Sequence, residues 1–216
     1  SSLGEYEQGL PVIKKLKEKY NSHKIVLTFL SPSGYEVKKT SSEVDLVIYL
    51  PLDSNRNAKK FIKALDPELV VFVKNEIWPN YLKYIKKYKI KSALVCGLFK
   101  KDDIKFSWPF NFLANSILKF DYVLVQDEES KNTIQSLGHN NTYVCGDTRF
   151  DRVDSTSNQN DSIKYIDQFK SDKLCLVAGS IWKEDQIMLV DYINRSKDNI
   201  KFILVPHEID ENKISS

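Results

Sequence analysis

Two carboxylates sit where a side chain could take or hold a proton beside a small-residue loop. Glu5 closes Ser2-Leu3-Gly4-Glu5, and Glu76 lies in Asn75-Glu76-Ile77-Trp78-Pro79-Asn80. Glu5 on a Gly-bearing loop has the makings of a general base, because Gly4 lets a substrate come close. The same four residues also spell Ser-x-x-Glu, a helix capping box, in which Ser2 bonds forward and Glu5 bonds back. Glu76 is delivered to the end of an apolar run, and Pro79 suits the first turn of a following helix. Trp78 beside a carboxylate is a sugar-binding pairing, since an indole covers the apolar face of a sugar. A plain helix start accounts for that segment equally well. Ser31-Pro32-Ser33-Gly34 offers hydroxyls and amides to a phosphate or a sugar hydroxyl, or is an ordinary turn and cap.

Other polar groups are candidates for anion contacts. The chain has 32 Lys and Arg, but its arginines are only Arg56, Arg149, Arg152 and Arg195. Bidentate phosphate forks are therefore scarce. Two of them fall in Gly146-Asp147-Thr148-Arg149-Phe150-Asp151-Arg152, either a phosphate clamp or a surface salt-bridge cluster. Ala178-Gly179-Ser180-Ile181-Trp182 is a strand end, a small-residue turn and a helix start, and its amides could hold a nucleotide phosphate. It lacks the spacing of the dinucleotide and P-loop motifs. Val205-Pro206-His207-Glu208 ends another strand in the same way. His23, His139 and His207 lie far apart, so no zinc site is expected; no resident cofactor is expected either.

These residues need strand ends to carry them. Short apolar runs at 24–29, 46–49, 69–73, 92–96, 122–125, 142–145, 173–178 and 202–205 alternate with helical stretches near 5–20, 34–40, 54–65, 79–88, 109–118, 127–136, 161–170 and 183–195. Leu10, Ile13, Leu16 and Tyr20 give the first helix one apolar face. The run 69–73 is apolar throughout, as for a strand covered on both faces. Such alternation implies an α/β fold with a parallel sheet and right-handed crossovers. In that architecture ligands bind beyond the carboxyl ends of strands.

The stretch 154–162 has no apolar residue and reads as a linker. The expected organisation is a domain over 1–150, a polar linker over 151–162 and the beginning of a second domain over 163–216. The opening residues read as the loop after a strand, as in an internal fragment. With 42% hydrophobic and 28% charged residues, the chain can bury a core and is not a disordered tail. A net charge of +3 is too balanced for a nucleic-acid binder. Cys96, Cys145 and Cys175 lie in or beside apolar runs, which predicts buried free thiols. No apolar run approaches the roughly 20 residues of a spanning helix.

Taken in order, SLGEYEQGLP, LSPSGYEV, YLPLD, DPELVVFVKNEIWPN, QDEES, GDTRFDRV, AGSIWKEDQ and LVPHE resemble the blocks of the 3-deoxy-D-manno-octulosonic acid (Kdo) transferases. The resemblance covers nearly the whole chain. It implies a GT-B fold, with two Rossmann-like domains, and inverting, metal-independent transfer of Kdo from CMP-Kdo to the lipid A precursor at the cytoplasmic face of the bacterial inner membrane. It makes Glu5 the general base and Glu76 the second essential carboxylate. Ser2, Gly4, Ser31, Ser33, Gly34 and Trp78 fall to the acceptor side, and Arg149, Gly179, Ser180, Trp182 and His207 to the donor side. Where many members have Thr-His after the Ser of AGS, this chain has Ile181-Trp182. Where many have Pro-Arg-His, it has Pro206-His207-Glu208. The family's Gly-Gly-His-Asn-Pro-like donor motif is not within these residues, so this stretch alone is expected to be inactive. The other readings are a different GT-B nucleotide-sugar enzyme, such as a UDP-sugar transferase or 2-epimerase, and a non-catalytic Rossmann-like module.

Overall fold

A computed structural model describes residues 2–100, 111–157, 165–196 and 199–207. It divides into two compact units, 1–158 and 159–216. In the first unit α1 (Leu3–Lys19) leads to β1 (Val26–Phe29), α2 (Pro32–Lys38) and β2 (Leu46–Tyr49). Then come α3 (Asn55–Leu65), β3 (Leu69–Val73), α4 (Pro79–Lys87) and β4 (Lys91–Gly97). The unit ends with α5 (Asn111–Ile117), β5 (Tyr122–Val125), α6 (Glu128–Ser136), β6 (Thr142–Val144) and α7 (Thr148–Ser157).

The strands are all parallel, and each falls on an apolar run read from the sequence. They do not make one ladder: β1 pairs with β2, and β3 to β6 pair in sequence order. This explains a departure at β3. Its residues Val70 to Val73 are half-buried rather than buried, because only β4 pairs with it. The alternation of a strand still sorts its side chains by face. Val70 and Phe72 pack into the α3–α4 cluster of Ala58, Ile62, Tyr81, Tyr84 and Ile85. Val73 points the other way, towards Gly9 of α1, where a Cβ on Gly9 would come within 3.2 Å of it.

The main core joins Leu82, Leu94, Phe99, Ile117, Phe120, Val123, Val125 and Ile134. Each such side chain, fully withdrawn from water, contributes about 1.5–3 kcal/mol. The helices start where the sequence supplies a cap. Ser54 accepts from Asn57 N at 3.2 Å for α3, and Asp127 accepts from Ser130 N at 2.7 Å for α6. The Ser130 hydroxyl in turn accepts from Phe99 N at 2.8 Å, so the QDEES block fastens the chain that leaves β4.

Three expectations change. Residues 148–157 form α7, so a helix occupies part of the stretch read as linker; residues 158–162 of that stretch lie outside the described residues. The composition of α7 is polar, but tertiary contacts hold it: Arg152 pairs with Glu7 of α1, and the Thr148 hydroxyl donates to Gln8 O at 2.6 Å. The buried face of α1 is Tyr6, Gln8 and Gly9, while Leu10, Ile13 and Leu16 are half-buried and Tyr20 is exposed. Of the cysteines only Cys96 is buried; Cys145, just past edge strand β6, is exposed, and Cys175 is intermediate.

The second unit contains α8 (Ile166–Lys170), β7 (Leu174–Ile181), α9 (Lys183–Arg195) and β8 (Ile200–Pro206). The strands pair in parallel with a register shift between Gly179 and Ile181. Tyr192 of α9 meets Phe202 of β8 edge to face, with centroids 6.1 Å apart. Among the described residues no helix is long and apolar enough to cross a membrane.

Candidate active site

The first turn of α1, the loop after β1 and the loop after β3 open onto one pocket of about 360 Å³, lined by Ser2, Glu5, Leu30, Ser31 and Glu76. The capping box read from the sequence is present. Ser2 N donates to Glu5 Oε2 at 2.5 Å, and Glu5 N donates to Ser2 Oγ at 3.4 Å. Capping and proton transfer are thus not alternatives for Glu5, which caps α1 and still borders the pocket. Glu76 follows Lys74, a lysine in the left-handed region at φ 64° whose N–H donates to Val95 O at 2.7 Å. That turn ends the β3 ladder and swings Asn75 and Glu76 out over the strand ends. Asn75 fixes the turn by accepting from Leu98 N at 3.2 Å.

The Glu76 carboxyl is pushed above its ordinary value of 4.5, chiefly by burial and next by the charge of Glu5. The Trp78 indole pulls the other way, but less strongly. Glu76 Oε2 is closed off from solvent, with no donor in hydrogen-bond geometry. Glu76 is therefore the carboxyl of this pocket that holds a proton more tightly than it would in free solution.

Of the other acceptor-side candidates, Ser31 borders the pocket and Ser33 touches it through a hydroxyl contact of 2.7 Å to Ser31. Neither Gly4, Gly34 nor Trp78 lines it. Gly34 is a packing glycine: a Cβ there would stand 2.5 Å from Phe29 Cδ1 and 3.3 Å from Leu3 N. A Cβ on Gly4 would meet only Ser2 Oγ, at 3.9 Å. Trp78 packs beside the α3–α4 cluster and occupies the N-cap position of α4 without capping it. Asp53 performs that task, accepting from Asn80 N at 3.2 Å and from Tyr81 N at 3.1 Å. The sequence reading missed Asp53, since its partners lie 27 and 28 residues away and no local pattern links them.

On the donor side, Arg149 is held by its neighbour Asp147, with Nε at 2.7 Å and Nη2 at 2.5 Å from Oδ2. The guanidinium holds the Asp147 carboxyl below its ordinary value. The fork expected to grip phosphate is thus occupied by an internal carboxylate, in the manner of the salt-bridge reading. In the second unit, the register shift puts Ser180 at φ 57°. Its hydroxyl lies 2.9 Å from His207 Nδ1, and Trp182 stacks on the His207 ring at 4.2 Å. Gly179 precedes this turn with open space where a Cβ would be. Glu208 lies outside the described residues. Among the described residues, no group of three or more His, Cys, Asp or Glu is placed to hold a metal ion.

Comparison with known proteins gives the family and the fold. The chain is 29% identical over 224 residues to the 3-deoxy-D-manno-octulosonic acid transferase of Aquifex aeolicus, covering 99% of this chain and 55% of the relative. It is 26% identical to that of Chlamydophila psittaci, covering 99% and 51%. The chain thus spans about half the length of the curated relatives it matches. Among solved structures, a UDP-GlcNAc 2-epimerase from Neisseria meningitidis bound to UDP-GlcNAc superposes with a TM-score of 0.65 at 13% identity, over 96% of this chain and 71% of that one. A further UDP-N-acetylglucosamine 2-epimerase gives 0.67 at 12% identity, over 96% and 67%. At such identities the likeness is one of fold, the GT-B class expected from the sequence. The model of the 3-deoxy-D-manno-octulosonic-acid transferase (kdotransferase) family matches residues 1–152, and the chain belongs to that family.

Proposed function

We propose that this protein transfers Kdo from CMP-Kdo to the lipid A precursor, with inversion and without a metal, at the cytoplasmic face of the bacterial inner membrane. The observation that carries the reading is the meeting of Glu5 and Glu76 in one pocket beyond the ends of β1 and β3. In the reaction an acceptor hydroxyl attacks the anomeric carbon of Kdo as its proton passes to the Glu5 carboxylate. The new C–O bond forms opposite the nucleotide. The bond to the phosphate breaks, and CMP leaves with the electron pair. Glu76 keeps a proton more firmly than an ordinary carboxyl. When protonated it can donate a hydrogen bond of its own beside Glu5. Ser2 and Ser31 orient the acceptor. CMP is already a good leaving anion, so cationic and amide contacts serve it better than a general acid; Gly179, Ser180, Trp182 and His207 are the donor-side residues of the second unit, and Arg149 is the donor-side candidate of the first.

The test is CMP release by the full-length protein carrying Glu5→Gln. Gln retains the size and the capping acceptor, so folding is preserved, while turnover falls by roughly 10²–10⁴. Ser2→Ala is the control and costs about 1 kcal/mol of stability with a smaller effect on rate. Near-normal turnover of a folded Glu5→Gln protein removes Glu5 from the role of base. Turnover abolished by EDTA, or supported by a UDP-sugar in place of CMP-Kdo, overturns the metal-independent and donor parts of the proposal.

A further inference from the structure

Trp78 stands at a position where Ser, Thr, Asp and Asn are the residues that stabilise a helix, and its side chain makes no cap hydrogen bond. The first helical residue, Pro79, has no N–H to satisfy. The N–H groups of Asn80 and Tyr81 remain, and both are taken by Asp53, through Oδ2 and Oδ1 respectively. The Asn80 side chain adds a bond to Asp53 O at 3.1 Å, and the Tyr81 hydroxyl donates to Pro51 O at 2.8 Å. Asn55 Oδ1 accepts from Lys83 Nζ at 3.0 Å and from the Tyr84 hydroxyl at 2.9 Å. The loop after β2 is thereby bolted along the first two turns of α4.

These bonds fix the C-terminal end of the segment that bears Glu76. Its N-terminal end is fixed by Lys74 N on Val95 O and by Asn75 Oδ1 on Leu98 N. We infer that Asp53 is a positioning residue for Glu76: it caps α4 from a distant loop, so that the local cap position can hold a tryptophan standing against the Glu76 carboxyl. A Ser or Asp at 78 would cap α4 as well, but it would leave Glu76 without an indole beside it. The inference takes Glu76 as one of the reacting carboxyls proposed above. It makes Asp53 matter through the geometry of that residue rather than through contact with substrate.

The test uses the 216-residue chain labelled with ¹³C-glutamate, with the Glu76 carboxyl assigned by its loss in Glu76→Gln. Asp53→Ala is expected to lower Tm by about 2–4 °C, the usual worth of one cap in a chain of this size. It is also expected to move the Glu76 titration midpoint down towards 4.5, because the freed segment swings the carboxyl towards water and away from Glu5. If Asp53→Ala lowers Tm and leaves the midpoint unchanged, Asp53 is only a helix cap and the inference fails. It fails equally if neither moves. Should Asp53→Ala not fold, Asp53→Asn, which keeps one accepting oxygen, takes its place: a lowered midpoint upholds the inference and an unchanged one overturns it. None of these readouts involves turnover, so a failure of Glu5 as base and a failure of Asp53 as positioner are separately visible.

Discussion

Gly34→Ala separates a glycine kept for packing from one kept for ligand access. Residue 34 is buried in α2, directly behind the serine that borders the pocket. A Cβ there falls 2.5 Å from Phe29 Cδ1, 2.7 Å from Cε1 and 3.3 Å from Leu3 N. The first two distances lie about 1 Å inside an ordinary carbon–carbon contact. The ring cannot simply swing away, since Phe29 is fully buried and abuts Tyr6, with centroids 6.1 Å apart. Over-packing of this kind costs about 1–3 kcal/mol. Replacing a helical Gly by Ala returns about 0.5–1 kcal/mol through backbone entropy. The net is a loss of up to roughly 2.5 kcal/mol, or a fall in Tm of up to about 10 °C at 2–4 °C per kcal/mol. Gly4→Ala is the matched comparison. Its Cβ meets nothing closer than 3.9 Å, so only the entropy term remains and Tm should rise slightly. Differential scanning calorimetry of the two variants decides the matter. A Gly34→Ala chain melting at or above the parent temperature would refute the packing argument, and a Gly4→Ala chain melting well below it would refute the reading of open space.

Other expectations follow from the same geometry. The raised Glu76 value means the folded state holds that proton more tightly than the unfolded chain does, so this group's contribution to stability is fully present below about pH 4.5 and is lost as pH rises through the folded value. Glu76→Gln should therefore match the parent Tm in acid and exceed it at neutral pH, with parallel Tm–pH curves as the contrary result. Asp147 behaves oppositely. Its lowered value contributes stability above about pH 3.8 that is lost on acidification, and Arg149→Ala should flatten that acid limb. Tyr81 is pushed up to about 12 by burial and by the Asp53 charge, so its phenol should stay un-ionised in an ultraviolet titration until near that pH. Tyr81→Phe leaves Pro51 O without its donor and should cost about 1 kcal/mol in urea denaturation.

What was legible in the sequence follows the range of the forces involved. The strands were legible because β-branched and aromatic runs bounded by polar turns are a local signal. The α1 capping box was legible for the same reason, as both its partners lie within four residues. α7 was not: its sequence TRFDRVDSTS is rich in residues that compete for their own backbone, and it reads as a linker until Glu7 and Gln8 of α1 are brought against it. Arg149 was readable as an ion-pair former, but only coordinates assign its partner as the aspartate two residues back. The meeting of Glu5 and Glu76, far apart in the chain, has no signature in spacing. It was reached through the rule that strand ends carry sites and through resemblance. Asp53 closes the YLPLD block of the resemblance but carried no role there, because its partners in α4 lie 27 and 28 residues away while Ser54 beside it already caps α3.

The place where the carboxylates meet follows from the winding of the chain. α3 and α4 cover the face of β3 that carries Val70 and Phe72, while α1 covers the face that carries Val73. α1 thus reaches the end of β3 from one face, and α3 and α4 lie on the other. Where elements part to opposite faces of a sheet, a crevice opens beyond the strand ends. Glu5, Ser31 and Glu76 all stand at that opening, one from a helix start and two from strand ends. A carboxylate on a single loop could remain solvated at little cost, but two converging in a crevice share a limited supply of water. The one more deeply enclosed, Glu76, then bears the raised affinity for a proton. The raised proton affinity of Glu76 is therefore a consequence of the fold acting on electrostatics, and it needs no residue beyond those already brought to the crevice.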